Sequence, residues 1–133
     1  MSCPENFKYT KTHEWANLEA GKTRVGISDY AQKEISDVVF VELPKVGQDV
    51  EQGKSMCVIE SVKAAFDIYA PVTGKVIAVN SQLDTQPETV NDDPFEQGWL
   101  VDIEMSDPSQ LDQLMDWEAY QTHIQQAAKE TQA

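Results

Sequence analysis

The sequence predicts a mainly β domain, and three observations support this fold class. Short apolar segments recur along the chain, glycine-containing turns separate them, and residues 101–105 alternate between apolar and polar side chains. Alternation with a period of two is typical of a strand with one buried face, and frequent glycine turns are typical of antiparallel sheets. The length of 133 residues fits one domain, spanning residues 1–133, with its own hydrophobic core.

The first predicted element is a β-hairpin near the N-terminus. Residues 14–18 and 23–27 are strand-like, and Ala20-Gly21-Lys22 supplies the turn between them. This hairpin belongs to an N-terminal unit that we expect to span about residues 7–27.

A central segment of about residues 28–105 holds the other strands. Residues 38–41 are apolar on both faces, which predicts the central strand of a sheet. Asp29 is expected to cap a short internal helix that has Gln32 at its third position. Further strands are predicted at residues 55–59, at 66–70, at 76–79 after the turn residue Gly74, and at 99–105.

Two short helices are predicted after the strands, over about residues 107–128. Asp107-Pro108-Ser109-Gln110 combines an N-cap, a first-turn proline and a capping-box glutamine. Asp116 is expected to begin the second helix, whose apolar stripe consists of Trp117, Tyr120 and Ile124. The apolar spacing stops after residue 127, so we expect the tail at residues 129–133 to fray.

A weak internal repeat predicts approximate twofold symmetry. The segment Asp37-Val-Val-Phe-Val-Glu-Leu43 is similar to Gly74-Lys-Val-Ile-Ala-Val-Asn80, and a polar turn region and another strand follow each copy. Two such units can pair as a β-sandwich that has Lys63 between the copies, at an exposed hairpin tip. Chance similarity between short valine-rich segments is the alternative explanation.

The composition is strongly acidic. Ten Lys and Arg residues against 23 Asp and Glu residues give a formal charge of −13. Nucleic acids and anionic membranes are not expected as partners, because the chain has no excess of cations to neutralise phosphate groups. Protein partners with basic docking faces are favoured. The alternative is that most of the carboxylates only maintain solubility.

The N-terminus and the cysteines indicate a cytoplasmic protein. No stretch resembles a membrane span, and residues 1–6 lack both the apolar core of a signal peptide and an Arg-rich presequence pattern. Cys3 and Cys57 form neither a disulfide framework nor a C-x-x-C site. We expect Cys57 to be a buried core residue and Cys3 to be exposed in the tail.

The chain lacks the residue groupings of common enzyme sites. It contains no G-x-S-x-G segment, no glycine-rich phosphate loop and no evident combination of nucleophile, base and oxyanion donor. His13 and His123 lie far apart in the sequence and no cysteine pair accompanies them, so no metal site is expected. We therefore expect a protein that is not an enzyme.

Lys63 is the most informative single residue. It lies at a predicted hairpin tip and is the only cation between Lys54 and Lys75. A lysine that is to be modified needs a fixed backbone, a side chain in water and no salt bridge. Its uncharged neighbours Val62 and Ala64 would let a modifying enzyme approach without burying unpaired charges. An ordinary solvated turn lysine is the alternative.

Several segments resemble the signature segments of the glycine cleavage system H-protein family. Glu60-Ser61-Val62-Lys63-Ala64 is similar to the lipoyl-lysine motif of that family. The other similar segments follow the family's order over about residues 7–124. They are His13-Glu-Trp15, Gly26 to Gln32, Asp37 to Pro44, Tyr69 to Gly74, Asn91 to Phe95 and Gly98 to Leu100.

The resemblance implies a fold, a cofactor and a set of partners. The implied fold is lipoyl-domain-like, a barrel-sandwich hybrid of two quasi-symmetric antiparallel sheets with a short internal helix and C-terminal helices. The implied cofactor is lipoate in amide linkage to Lys63, on which a carrier protein passes the aminomethyl group of glycine between enzymes. The implied partners are the glycine decarboxylase subunit (P protein), the aminomethyltransferase (T protein), dihydrolipoyl dehydrogenase (L protein) and a lipoate-attaching enzyme.

The resemblance also implies contacts with the docked lipoyl arm. Thr12, Glu14 and Asp67 match family positions beside the arm, and we expect them to hold the amine of the carried group. In the alternative each is a solvated strand residue. Trp15 and Trp99 also match family positions, but their places in strands indicate core residues.

Phe66 departs from the family's pattern. The family usually has a small hydroxyl residue three positions after the lysine, where this chain has a phenylalanine. An outward ring would enlarge the apolar surface beside Lys63 and alter recognition of the attachment site or the fit of the arm. An inward ring would change only the packing of the core.

Alternative functions stay open on the sequence alone. A lipoyl or biotinyl domain of another complex is disfavoured by Val62, since those sites usually have an acidic residue or a methionine before the lysine. A lipoate relay, which donates its lipoyl group to other proteins, is a second alternative. A β-sandwich binding module with an unmodified lysine is the third.

Overall fold

The computed structural model describes residues 4–132, with side chains described as far as residue 126, and this part of the chain contains two antiparallel sheets. The strands are β1 (Lys8–Tyr9), β2 (Glu14–Glu19), β3 (Lys22–Ile27), β4 (Val38–Glu42), β5 (Asp49–Val50), β6 (Ser55–Ser61), β7 (Ala65–Tyr69), β8 (Gly74–Val79) and β9 (Val101–Met105). The α-helices are α1 (Asp29–Ile35), α2 (Thr89–Asp92) and α3 (Trp117–Gln132), and 3₁₀ helices span Pro4–Asn6, Ser81–Asp84 and Pro108–Gln113.

The sheet topology confirms the mainly β fold class. One sheet has the strand order β1-β2-β3-β9-β8-β5, and the other has the order β4-β6-β7. The two segments of the internal repeat form the pairs β4–β6 and β8–β9, in different sheets. Residues 62–64 form the tip of the β6–β7 hairpin. In the sequence this tip follows β6, which ends the first copy, and precedes β8, which begins the second.

The N-terminal hairpin forms as the sequence predicts. Strands β2 and β3 pair from Glu14 opposite Ile27 to Glu19 opposite Lys22. Ala20 and Gly21 connect them with φ angles of 53° and 79°. Positive φ at both central residues is the requirement of a two-residue type I′ turn, whose twist matches that of the flanking strands.

Strand β4 contradicts the prediction of a central strand. It pairs only with β6 and therefore lies at the edge of its sheet. A register shift between Val38 and Phe40 breaks the alternation of its side chains. Val38 and Val41 are buried, whereas Val39 is 54% exposed and Phe40 is 47% exposed. The apolar run thus reflects a bulged edge strand with apolar residues in solvent, not burial on two faces.

Helix α1 begins one residue earlier than predicted. Its N-cap is Ser28, whose hydroxyl accepts a 3.1 Å hydrogen bond from the backbone nitrogen of Ala31. Asp29 is the first helical residue, and its carboxylate accepts a hydrogen bond from Gln32 and pairs with Lys33. Serine and aspartate are both favoured N-caps, so two adjacent candidates left the sequence pattern ambiguous by one position.

The two segments after β9 differ in how well they match expectation. Asp107 and Pro108 begin a helical segment as predicted, but it is a 3₁₀ helix. Gln110 does not close a capping box, because its amide oxygen and nitrogen bind the backbone and hydroxyl of Thr73. Asp116 precedes α3 and accepts a 2.9 Å hydrogen bond from Ala119, as an N-cap does.

Helix α3 extends through Gln132, beyond the boundary expected at about residue 128. No glycine or proline occurs after residue 127 to end it. The expectation that residues 129–133 fray stays a prediction, and the expected exposure of Cys3 concerns a residue outside the described ones. Among the helices of the described chain, none is both long and apolar enough to span a membrane.

The core consists of two clusters. The larger cluster fills the space between the sheets and includes Cys57, which is 4% exposed, as predicted. The smaller one is aromatic and consists of Phe7, Tyr9, Trp15 and Tyr120, with Trp99 packed against it. Trp15 is a core residue, as expected, and donates a 3.0 Å hydrogen bond to the carbonyl oxygen of Pro94. Trp99 lies just before β9 and not in a strand, and it is only partly buried against the aromatic cluster.

Asp102 is buried although it lies on the polar face of β9. Its side chain is 2% exposed, and its two oxygens accept from Arg24 at 2.9 and 3.2 Å, with Lys22 at 3.3 Å. The Arg24 guanidinium in turn lies 4.1 Å from the ring centroid of Trp99. Long side chains of β3 therefore cover a strand face that the alternation pattern marks as polar.

Candidate functional site

The hairpin tip that contains Lys63 has a fixed backbone. The backbone nitrogen of Ser61 donates a 2.8 Å hydrogen bond to the carbonyl oxygen of Ala64. The Ser61 hydroxyl oxygen accepts hydrogen bonds from the backbone nitrogens of Lys63 at 3.1 Å and Ala64 at 3.2 Å. A serine that binds two nearby backbone amides is a local device for holding a turn. The Ser61 side chain thus stabilises the turn conformation of the tip.

The Lys63 side chain is exposed and is not paired with a carboxylate in the described part of the chain. Its Nζ donates one hydrogen bond of 3.2 Å, to the carbonyl oxygen of Glu34 in the last turn of α1. The nearest carboxylates in sequence lie elsewhere. Glu60 is exposed on β6, and Asp67 accepts a 3.1 Å hydrogen bond from Ser55. The amine is therefore accessible for modification.

A cleft of about 260 Å³ lies at the other end of β7 from the lysine tip. It is bounded by the turn between β1 and β2, by the end of β7 and by the residues before α3. Its lining includes Thr12, Glu14, Tyr69, Leu114 and Met115. The cleft is mainly apolar, with a few polar groups at one wall, as sites for small organic groups generally are.

Glu14 is the buried polar residue of this cleft, with an exposed fraction of 1%. One carboxylate oxygen accepts hydrogen bonds from the hydroxyls of Thr10 and Thr12, each at 2.5 Å. The other oxygen accepts a 3.2 Å hydrogen bond from the backbone nitrogen of Tyr69. Burial raises the pKa of Glu14 above its ordinary value, and these hydrogen bonds offset only part of that effect.

Two of the three expected arm-contacting residues lie together, and the third lies elsewhere on β7. Thr12 and Glu14 are hydrogen-bonded to each other, whereas Asp67 accepts its hydrogen bond from Ser55. Asp67 and Tyr69 are two positions apart, so they share one face of β7 about 7 Å apart. Along β7, Asp67 therefore lies between the Lys63 tip and Tyr69, whose backbone nitrogen binds Glu14.

Comparison with known proteins gives a consistent result over nearly the whole chain. Residues 7–127 match the family model described as the glycine cleavage H-protein. The chain belongs to the glycine cleavage H-protein family.

Individual members of the family cover almost the same range. The glycine cleavage system H protein of Thermotoga maritima is 52% identical over 114 residues, which are 86% of this chain and 92% of that protein. The H protein of Thermus thermophilus is 49% identical over 128 residues, covering 96% of this chain and all of that protein. The crystal structure of an H protein from Mycobacterium marinum has a TM-score of 0.82 at 33% identity, covering 89% of this chain and 95% of that one.

Phe66, which lies three positions after Lys63, points inward. It is half-buried and packs against the larger core cluster, next to the fully buried Ile59 of β6. The neighbouring residues Ala65 and Asp67 are exposed on the opposite face. The Phe66 ring therefore belongs to the packing of the core and does not enlarge the apolar surface on the exposed face of β7.

Sequence reasoning did not find two groups that hold the Glu14 carboxylate. The Thr10 hydroxyl is one of them, and the spacing Thr10-x-Thr12-x-Glu14 in a tight turn is the signal that would have indicated it. The backbone nitrogen of Tyr69 is the other, and no sequence pattern reveals a contact between residues 55 positions apart.

His13 and His123 are far apart in the sequence but close together in the structure. Their rings lie 5.6 Å apart between centroids, because α3 packs on the β1–β2 turn. His13 Nδ1 is 2.9 Å from the Tyr120 hydroxyl, and His123 Nε2 is 3.0 Å from the carbonyl oxygen of Lys11. Burial and the neighbouring His123 lower the pKa of His13 to about 4. Among the described residues, no group of three or more His, Cys, Asp or Glu side chains is arranged to hold a metal ion.

Proposed function

We propose that this protein is a lipoylated carrier of the glycine cleavage system. Lipoate is attached to Nζ of Lys63, receives the aminomethyl group of glycine at the decarboxylase, and delivers it to the aminomethyltransferase. Electrons then leave through dihydrolipoyl dehydrogenase. The observation that carries the proposal is the exposed Lys63 amine on a closed hairpin tip, without a carboxylate partner in the described chain, in a member of the H-protein family.

The surroundings of Lys63 fit acylation of its amine. The neutral amine attacks an activated lipoyl carbonyl, the bond to the activating group breaks, and nitrogen loses one proton as the amide forms. No ion pair of the described residues has to be broken for this step, only the single hydrogen bond to Glu34. Surface hydrogen bonds of this kind cost about 1 kcal/mol or less to lose, so the amine is readily withdrawn.

The cleft fits a covalently attached arm that carries an amine. When bound, lipoate supplies a strained cyclic disulfide, which accepts a carbon group and electrons. The chain supplies an apolar wall for the arm and, at its end, the Glu14 carboxylate with the Thr12 hydroxyl beside it. A cationic amine near Glu14 would lower the pKa of that carboxyl and form a charge-assisted hydrogen bond.

In this proposal Asp67 guides the carried amine toward the cleft. It lies on the exposed face of β7 between the tip and Glu14 and keeps its carboxylate at the surface with Ser55. Its charge would attract the cationic amine toward the cleft and contact it at the entrance. Water is kept from the amine mainly by the walls at Tyr69, Leu114 and Met115.

The acidic surface suits a carrier that visits several enzymes in turn. A formal charge of −13 gives a field that attracts basic docking faces at long range, and its effect declines with salt. Each enzyme must bind and then release the same carrier. Electrostatic attraction raises the rate of association without a large apolar interface that would slow release, so it suits this function. The P, T and L proteins and the lipoate-attaching enzyme are the proposed partners.

Mass measurement tests the attachment directly. We expect protein isolated from lipoate-supplied cells to carry a lipoyl adduct, mapped by peptide sequencing to Lys63. Lys63→Arg should abolish both the adduct and glycine–bicarbonate exchange with the decarboxylase. Lys54→Arg, at the nearest exposed lysine before it in the sequence, is the matched control and should change neither. Persistent absence of the adduct from wild-type protein would instead favour an unmodified binding module.

A further inference from the structure

The Asn91 side chain connects helix α2 to the segment between α1 and β4. Its amide oxygen accepts a 2.9 Å hydrogen bond from the backbone nitrogen of Val38. Its amide nitrogen donates to the carbonyl oxygen of Ser36 at 2.8 Å and to the side chain of Gln32 at 3.2 Å. One carboxamide thus binds backbone groups on both sides of Asp37 and uses three of its four hydrogen-bonding positions.

Ser36 has a strained backbone at this point. It ends α1 with φ 74° and ψ −159°, a region that only glycine adopts without strain. A residue in such a region is strained and persists only where neighbouring contacts determine its conformation. The Asn91 hydrogen bond to the Ser36 carbonyl is such a contact. The Ser36 nitrogen is bound separately, by the carbonyl oxygen of Gln32.

The residues on either side of Ser36 support the lysine tip. The carbonyl oxygen of Asp37 accepts a 3.0 Å hydrogen bond from the backbone nitrogen of Val62. The carbonyl oxygen of Glu34 accepts the 3.2 Å hydrogen bond from Lys63 Nζ. In the described chain these are the hydrogen bonds from residues 62–64 to parts of the chain outside the β6–β7 hairpin. The Asp37 carbonyl follows Ser36 directly, so its direction depends on the backbone conformation of Ser36, whereas the Glu34 carbonyl belongs to α1.

We propose that Asn91 is a positioning residue for the attachment of lipoate at Lys63. It holds Ser36 in its strained conformation, and this orients the Asp37 carbonyl that supports the tip through Val62. The inference rests on the proposed function, because it concerns the recognition of Lys63 by the lipoate-attaching enzyme. The hydrogen bonds of the Asn91 side chain go to Gln32, Ser36 and Val38, so it acts on the tip through this segment.

The expected consequence concerns binding of the acceptor protein. Without Asn91, Ser36 relaxes, the Asp37 carbonyl turns away from Val62, and the tip samples several orientations. The attaching enzyme must then order the tip when it binds, and the lost conformational entropy weakens binding. In the wild-type protein the tip is already ordered before the enzyme binds. KM for the acceptor protein should rise roughly threefold to tenfold, while kcat at saturation stays close to the wild-type value.

Asn91→Ala should be compared with the matched control Asn80→Ala. Asn80 is a buried asparagine whose amide nitrogen binds two backbone carbonyls, those of Gln97 and Trp99, at 2.7 and 2.9 Å. These side-chain hydrogen bonds go neither to residues 34–38 nor to the tip. Purified unmodified proteins are titrated as acceptors of a lipoate–protein ligase with lipoate and ATP. We expect the KM increase for Asn91→Ala only, even where urea unfolding shows equal losses of stability.

A second measurement is independent of lipoate. Hydrogen exchange of the Val62 amide should become faster in Asn91→Ala and stay unchanged in Asn80→Ala. The amide of Ile59, in the middle of β6, is the internal control and should be equally protected in all three proteins. If Asn91→Ala does not fold, Asn91→Asp takes its place, since it keeps the acceptor for Val38 and removes the donor to Ser36 and Gln32.

The outcomes separate the two proposals. If wild-type protein is modified at Lys63 and the Asn91 variant has the wild-type KM and the wild-type Val62 exchange rate, the positioning role is wrong and the carrier function stands. If wild-type protein is never modified at Lys63, the carrier function is wrong and the attachment role falls with it, whatever the Val62 amide does.

Discussion

The buried carboxylate of Glu14 accepts a 3.2 Å hydrogen bond from the backbone nitrogen of Tyr69. This contact ties the N-terminal hairpin to the strand that begins just after Lys63. The end of β7 and the floor of the cleft are therefore one unit, and the distance from the tip to the carboxylate is set by the length of a rigid strand. A tethered arm needs such a fixed distance between its attachment point and the place where its end binds.

Removing the charge of Glu14 or Asp67 should shorten the lifetime of the loaded arm. We expect Glu14→Gln to accelerate loss of the aminomethyl group roughly tenfold, because a charge-assisted hydrogen bond contributes about 1.5–3 kcal/mol. Asp67→Asn should have a smaller effect, since that carboxylate is exposed. The measurement is release of ammonia and formaldehyde from loaded protein after the decarboxylase is removed.

The control for this experiment is Glu19→Gln, which removes an exposed charge from the same strand as Glu14. Its loaded arm should survive as long as in the wild-type protein. Equal lifetimes in all four proteins would show that neither carboxylate holds the amine.

Stability should decline in mild acid because of His13. Its pKa is about 4 in the folded protein, below the ordinary value of 6.5. The unfolded chain therefore binds more protons between these values, and stability falls as pH decreases from about 6.5 to about 4. The half-exposed ring is screened by solvent, so we expect a loss of only ~1–2 kcal/mol from this residue. Urea unfolding at pH 7 and pH 5 measures it.

His13→Asn isolates this contribution. Asparagine tolerates the positive φ of 76° at this position and does not titrate. The variant should be less stable than wild type at pH 7, and the difference should shrink at pH 5. A difference that is the same at both pH values would exclude His13 as the titrating group.

Breaking the buried ion pair of Asp102 should destabilise the fold strongly. Arg24→Ala removes two hydrogen bonds from a carboxylate that is 2% exposed, and also the cation over the Trp99 ring. We expect a loss of about 3 kcal/mol, because an incompletely paired charge then stays buried. Lys22→Ala should cost less than half as much, since Lys22 makes one contact with the carboxylate and Arg24 makes two and also covers the Trp99 ring. Similar values for the two variants in urea unfolding would contradict this assignment.

Two glycines should respond differently to alanine. A Cβ at Gly26 would lie 2.6 Å from the indole ring of Trp15, which is buried and held by its hydrogen bond to Pro94. Gly26→Ala should therefore cost ~3 kcal/mol or more through overpacking. At Gly47 nothing lies within 4 Å, and only the φ of 94° opposes a side chain, so Gly47→Ala should cost about 1–2 kcal/mol. Equal unfolding midpoints would refute the steric explanation.

Local features of the chain could be predicted because short-range geometry determines them. A hairpin turn near Gly21 follows from that glycine between two strand-like segments, and the N-cap of α3 follows from Asp116. The strands β2, β3, β6 and β9 follow from apolar residues at strand spacing. The position of Lys63 at a tip follows from the two strands that flank it. In each case the contacts that matter lie within a few residues.

The errors share a different physical origin. The edge position of β4 and the exposure of Val39 and Phe40 depend on which strands pair, and an apolar run alone does not specify this. The pairing of His13 with His123 depends on where α3 packs.

From its sequence alone, this chain is a mainly β protein of the H-protein family with a lysine on a hairpin tip. The tertiary structure decided the rest. It buried Glu14 against Tyr69, paired Asp67 with Ser55, and brought Asn91 to the strained backbone at Ser36. The reason is that these contacts join residues far apart in the sequence, and they form only when packing of the whole core brings their strands and helices together.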